Sequence, residues 1–266
     1  MEVLGYIGAL IMGLSLGLIG GGGSILTVPI LVYLFSIDTV LATAYSLFIV
    51  GLTSLIGSLS HISQGNIHWK TAFIFGIPSI ITVYLSRLYL VPIIPNELMT
   101  FGDFLVTKSL FMLLLFALLM IFASYTMIQE YKHFKDVEEG KIKYNYPLIL
   151  IEGIGVGIIT GLVGAGGGFL IIPALVVLAK LPMKKAIGTS LIIIALKSLI
   201  GFIGDLKGPS LMDWQFLGYF SIVAIIGILI GSRFSKQMPD EKLKPAFGYF
   251  VMVMGILIIA KELIFQ

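Results

Sequence analysis

Seven stretches of the chain, 3–37, 39–69, 71–86, 109–129, 153–179, 214–232 and 245–260, contain no Asp, Glu, Lys or Arg, and an eighth, 186–204, contains only Lys197. A helix that crosses a bilayer needs about 20 mostly apolar residues, so most of these stretches supply one span each. The composition agrees. Hydrophobic residues make up 58% of the 266 and charged residues 12%, against roughly 25% charged in soluble domains. Neither a water-soluble globule nor a disordered chain fits, and a polytopic membrane protein remains. The net charge of +3 is too small to argue for nucleic acid. With no cysteine, disulfides, thiolate catalysis and Cys-ligated metals are excluded, and three histidines leave little for a metal site. Met1-Glu2 offers no basic leader, and the apolar stretch behind it is too long for a signal peptide.

Two stretches are too long for one span. Residues 3–35 as a single helix would measure about 50 Å, and 149–179 about 46 Å, at about 1.5 Å per residue, whereas the hydrocarbon core is about 30 Å thick. Each carries a glycine run near its middle, Gly20-Gly21-Gly22-Gly23 and Gly164-Ala165-Gly166-Gly167-Gly168. Glycine costs a helix roughly 1 kcal/mol per residue against alanine, so each stretch is expected to be two shorter helices joined at a break, entering and leaving on one side.

The chain is also duplicated. Residues 17–57 align without gaps to 161–201 at a constant offset of 144, with 19 of 41 positions identical. The matches include Gly17/Gly161, Gly20/Gly164, Gly22/Gly166, Gly23/Gly167, Pro29/Pro173, Ser46/Ser190, Ser54/Ser198 and Gly57/Gly201; further on, Trp69 pairs with Trp214 and Ser86-Arg87 with Ser232-Arg233. The expected fold is an all-α polytopic membrane protein of two inverted repeats, each a glycine-broken helical hairpin plus three transmembrane helices. The first repeat covers 1–128, a polar cytoplasmic linker loop 129–146, and the second repeat 147–266. Positive charge sets the orientation. Lys70, Lys132, Lys135, Lys141, Lys143, Lys180, Lys184, Lys185, Arg233, Lys236, Lys242 and Lys244 fall on one side, and Arg87, Lys108, Lys207 and Lys261 on the other, twelve against four. Both termini are therefore expected outside the cytoplasm.

The glycine runs admit two readings. One is close helix packing, common in membranes. The other is an anion site, because a broken helix exposes backbone N–H groups and the positive end of its dipole, and glycine lets a ligand approach that backbone. Neither run is a phosphate-binding loop or a dinucleotide fingerprint, since no Gly-Lys-Ser/Thr and no strand with an acidic partner accompany them. The candidate substrate-binding residues are Gly20, Gly21, Gly22, Gly23, Ser24, Gly164, Gly166, Gly167 and Gly168, with the hydroxyls of Ser46, Ser54, Thr189, Ser190 and Ser198 and the ammonium of Lys197. The hydroxyls could equally bond back to their own helix carbonyls, and Lys197 could snorkel to the surface. Lys197 faces Thr53 across the repeat, so an asymmetric site is expected. Glu152, Asp205 and Asp213 lie near span ends and read as boundary residues; Trp69 and Trp214 read as interface anchors. No catalytic set, metal site or cofactor motif is present, and the expected partners are a small anion and the lipid bilayer, without nucleic acid.

Two copies of G-L-[IV]-G-x-G-G followed by an apolar run and proline, then AIGTSL at 186–191 (ATAYSL in the first copy), then a span leading to a tryptophan segment, resemble the sulfite exporter TauE/SafE family over nearly the whole chain. The resemblance implies a prokaryotic inner-membrane transporter of sulfite, sulfonates or related organosulfur anions, with the glycine segments and following Ser/Thr residues as the substrate region. Ala44-Tyr45 in place of Gly188-Thr189 implies unequal contributions from the two repeats. A secondary transporter or facilitator is the leading reading, with export favoured over uptake; an anion channel, a coupled importer, and an intramembrane enzyme or assembly factor are the alternatives.

Overall fold

The computed structural model describes residues 2–101, 104–133, 146–177, 179, 181–206, 212–235 and 240–264. Its helices are α1 (Glu2–Ile19), α2 (Thr27–Phe35), α3 (Thr39–Ser63), α4 (Trp69–Leu85), a short α5 (Val91–Ile93), α6 (Lys108–His133), α7 (Tyr146–Val163), α8 (Gly168–Val177), α9 (Met183–Asp205), α10 (Trp214–Ser235) and α11 (Asp240–Ile264). A small antiparallel hairpin, β1 (Glu97–Phe101) and β2 (Phe104–Thr107), which the sequence reading did not anticipate, joins α5 to α6. Among the described residues, six helical segments are long and apolar enough to cross a membrane. The protein is an all-α polytopic membrane protein. Residues 129–133 of the expected linker continue α6, and 134–145 lie outside the described residues.

Both long apolar stretches break where their glycines fall. The first leaves α1 at Ile19 and passes through a tight 3-10 turn, Gly22–Leu26, into α2; the second leaves α7 at Val163 and re-enters helix at Gly168. After the break α2 folds back along α1, for Gly5 faces Phe35, Gly8 faces Ile30 and Gly23 faces Met12 and Leu16.

Helix pairing follows the repeat. α1 runs alongside α10 in the same direction, with Gly13 against Ala224 and Gly17 against Ile228 and Ser232. α7 runs alongside α4 in the same way, with Gly153, Gly157 and Gly161 against Phe75, Ser79 and Val83. Glycines four residues apart leave a groove for the neighbouring backbone, the small-residue packing that membrane helices use where lipid supplies no hydrophobic drive. α3 and α9, repeat counterparts, cross the middle of the molecule: Gly201 approaches Leu47, Gly51 approaches Leu199 and Gly57 approaches Leu191, so the two helices run in opposite directions. They are the core, with 67% and 78% of their apolar windows buried against 39% for α1, α4 and α10. The outer helices turn apolar side chains such as Ile7, Phe73, Ile77, Phe122 and Ile226 outward, a surface suited to lipid rather than water.

Candidate functional site

The two glycine breaks meet. A side chain on Gly21 would collide with the backbone of Gly168, and one on Gly168 with the backbone of Gly21. Gly20 and its counterpart Gly164 hold the same left-handed backbone, φ 85° and 75°, a conformation that costs other residues roughly 1–2 kcal/mol. Beyond that point the breaks diverge. In the first, Ser24 donates its hydroxyl to the Gly21 carbonyl at 2.8 Å and closes the turn on itself. In the second, Gly166 and Gly167 are both left-handed, φ 63° and 66°, and Gly168 stands in the place of Ser24. Gly22 lies in the 3-10 turn with Gly23, and both are buried.

Lys197 belongs to this second break. Its side chain is fully buried, its Nζ donates to Thr160 Oγ1 at 3.1 Å, and a Cβ on Gly167 would stand 2.7 Å from that Nζ. The lysine thus points inward and does not snorkel. Among the described residues the one ion pair joins Arg87 and Asp205, so the Lys197 ammonium has no carboxylate. A lysine at that depth without a carboxylate is costly to charge, which makes Lys197 a candidate for function.

The hydroxyls divide into two groups. Ser190 donates to its own helix at the Ile187 carbonyl, 2.8 Å, and Thr189 accepts the backbone N–H of His68 at 2.9 Å. Tyr45, the counterpart of Thr189, accepts the backbone N–H of Asp213 at 2.7 Å. His68 and Asp213 each precede the matched tryptophan, so the departure from the family pattern at Tyr45 preserves one structural tie with a different side chain. Ser46, Ser54 and Ser198, in contrast, are buried hydroxyls without a partner among the described residues, and so is Thr53. All four lie on α3 and α9, the crossing helices that carry Lys197. Buried hydroxyls are rarely left unbonded; Ser79, Ser221 and Ser232 are unpartnered elsewhere among the described residues, and the four on this crossing form the largest group.

Of the acidic residues read as boundaries, Asp213 caps α10 by accepting from Phe216 N at 2.9 Å, and Glu152 lies in the second turn of α7. Asp205 does more, since its Oδ1 lies 3.5 Å from Nη1 of Arg87. Arg87 is the residue the sequence reading missed. It sits in a π turn, Ser86–Leu90, after α4 and is 1% exposed. The signal was present: 71–96 is uncharged apart from Arg87. Trp69 and Trp214 open their helices and are half exposed.

Six apolar helical segments among the described residues, with a buried lysine and unpartnered hydroxyls between them, define a polytopic membrane protein. The sulfite exporter TauE/SafE model matches residues 6–258, and the chain belongs to that family. It is 29% identical to a probable membrane transporter protein of Methanocaldococcus jannaschii, over 92% of this chain and 91% of the relative. It is 28% identical to a probable membrane transporter protein of Xylella fastidiosa, over 94% and 91%. The probable membrane transporter protein YdhB of Bacillus subtilis is 26% identical, over 94% and 96%. No solved structure matches the chain.

Proposed function

We propose that the protein is a secondary transporter or facilitator, not an enzyme, which exports a small sulfur-containing oxyanion, sulfite or an organosulfonate, across the cell membrane. The anion sits at the second glycine break beside Lys197. The observation that carries this reading is the buried Lys197 ammonium, held against Gly167 with no carboxylate to neutralise it. An anion completes such a site: it supplies the missing charge, and the glycine-lined backbone and the free hydroxyls of Ser46, Ser54 and Ser198 offer donors. The family description favours sulfite or its relatives. Backbone contact between Gly21 and Gly168 closes the space between the two breaks, which favours a carrier over an open channel.

The two halves form inverted repeats in this reading. Support comes from the opposed course of α3 and α9, since counterpart helices that run antiparallel are related by an axis in the membrane plane. Both termini are extracytoplasmic and 129–146 is cytoplasmic, as the charge split requires. Arg87 and Lys108, two of the four positive residues on the outer side, are buried within the fold. A cysteine placed at Gly140 should react with an impermeant maleimide only after the cells are permeabilised; reaction in intact cells contradicts this orientation. Export needs no coupling ion, because an anion leaving a negative interior gains about 2.3 kcal/mol per charge per 100 mV.

The direct test has two stages. Purified protein is screened by thermal shift against sulfite, sulfate, thiosulfate and short sulfonates, since a bound ligand raises apparent stability. Proteoliposomes loaded with the stabilising anion are then given an inside-negative potential. Efflux without a proton gradient is expected; a strict requirement for an imposed proton gradient rejects uncoupled export, and no stabilisation by any of these anions rejects the substrate class.

A further inference from the structure

We propose that Arg87 is a second anion-binding group, whose Nε/Nη2 edge takes two oxygens of the sulfur oxyanion on the other flank of the second glycine break from Lys197. This rests on the transport reading above and names a substrate ligand that reading lacks.

The guanidinium is only half used. Nη1 donates to Thr43 Oγ1 at 3.0 Å and lies 3.5 Å from Asp205 Oδ1. Nε and Nη2 are buried and meet no acceptor among the described residues, and Asp205 Oδ2 is likewise buried without a donor. A structural arginine–carboxylate pair frequently closes on itself with two parallel N–H···O bonds. This one touches at a single corner and leaves free the side of the fork that grips two oxygens at once. Arginine is always charged, and its planar fork matches an oxyanion in a way a lysine does not.

Position supports the same conclusion. Thr43, which holds Nη1, is also the residue that Gly164 packs against. Arg87 therefore reaches the start of the second break through Thr43, while Lys197 reaches Gly167 directly. The repeat shows that the fold does not need this arginine buried. Its counterpart Arg233 is exposed and lines a cavity of about 390 Å³ with Ile56, Gly57, Ser60 and Leu229. In the matching place of the other half Arg87 is enclosed against Gly204. One arginine slot is open and the other closed, on a common scaffold.

Asp205 competes with an arriving anion for the same guanidinium, which gives the proposal a sign that a plain structural pair lacks. The test uses the full chain purified in detergent, with sulfite and methanesulfonate as probes in calorimetric titrations, and ligand-free melting temperature and elution volume as folding controls. Arg87→Lys, which keeps the charge and loses the fork, should bind about tenfold more weakly. Asp205→Asn, which removes the competing charge, should bind several-fold more tightly. Wild-type affinity in a folded Arg87→Lys variant, or unchanged or weaker binding in Asp205→Asn, overturns the role of Arg87 while leaving the transport reading standing. A wild-type protein that binds neither probe overturns both. If Arg87→Lys does not fold, Asp205→Asn decides alone.

Discussion

The first glycine break is closed and the second is open to chemistry. Both reverse the chain at a left-handed glycine, Gly20 or Gly164, and both press against each other at Gly21 and Gly168. Yet the first seals its turn with Ser24, whereas the second has Gly168 in that place, two further left-handed glycines, and a buried lysine beside them. Duplication preserved what the scaffold needs, namely the reversal and the close contact. The candidate ligand-holding groups were not preserved in both copies: Lys197 stands where the first copy has Thr53, and Arg87 is buried where Arg233 is exposed.

This contrast can be broken at matched positions. The largest effect is expected at Gly167. A methyl group there meets Thr160 and the Lys197 ammonium on a left-handed backbone. Gly167→Ala should weaken anion binding by about a hundredfold, the scale of truncating a buried charged contact. At its counterpart, Gly23→Ala, the atoms nearest the new methyl are backbone atoms of Met12 and Leu16, so it should lower the melting temperature and leave the affinity of the remaining folded protein near wild type. Comparable loss of affinity in both variants, measured by titration, makes the breaks equivalent.

The scaffold itself gives the second comparison. Gly20→Ala and Gly164→Ala carry the same left-handed strain of roughly 1–2 kcal/mol. At Gly20 the new methyl meets the side chains of Ile187 and Ile172, which can yield; at Gly164 it meets the backbone of Thr43, which cannot. Gly164→Ala should melt at the lower temperature by a margin of about 1–3 kcal/mol in stability, the usual cost of overpacking. The reverse order would mean that the first break carries more of the fold.

How far these features could be read from sequence depends on what each requires. The spans and the two breaks were legible, because charge-free length and glycine runs act locally. Lys197 was legible because one charge in an apolar stretch stands out. Arg87 has the same signature, but the charge-free stretch 71–86 was read as the span, and that placed the arginine at its boundary. The π turn that swings it inward has no sequence mark of its own. Nor could sequence tell which hydroxyls are spent. Thr189 and Ser190 are adjacent and equally polar; only the packing of His68 against α9 shows that Thr189 holds a neighbouring backbone while Ser198, eight residues beyond Ser190, stays free.

A smaller effect should appear at the paired ties. Tyr45→Phe and Thr189→Val each remove the acceptor of one backbone N–H, in opposite halves. Each should cost about 1 kcal/mol, the net value of one such bond, with anion affinity unchanged in both. A selective loss of affinity in Thr189→Val alone would return that hydroxyl to the substrate site.

The smallest concerns pH. His68 caps α4, accepting from Thr71 N at 3.3 Å, and burial, with Lys185 and Lys70 nearby, holds its pKa below the ordinary value of 6.5. The folded state therefore binds the proton less readily than the unfolded chain, and stability falls as pH drops below that ordinary value. Melting between about pH 7.5 and about pH 5.5 should show a loss that His68→Asn reduces. An unchanged pH profile in the variant assigns the loss to other groups.

The central claim, that the anion is held on one break and not shared equally by both, is tested most directly at the counterpart pair on the crossing helices. Sulfite affinity is titrated in wild type, Lys197→Met and Thr53→Val, each shown to be folded by elution and melting. Lys197→Met should lose more than about tenfold, with Lys197→Arg recovering part of it, while Thr53→Val stays within about twofold. Wild-type affinity in Lys197→Met, or equal losses at the two positions, would contradict the account.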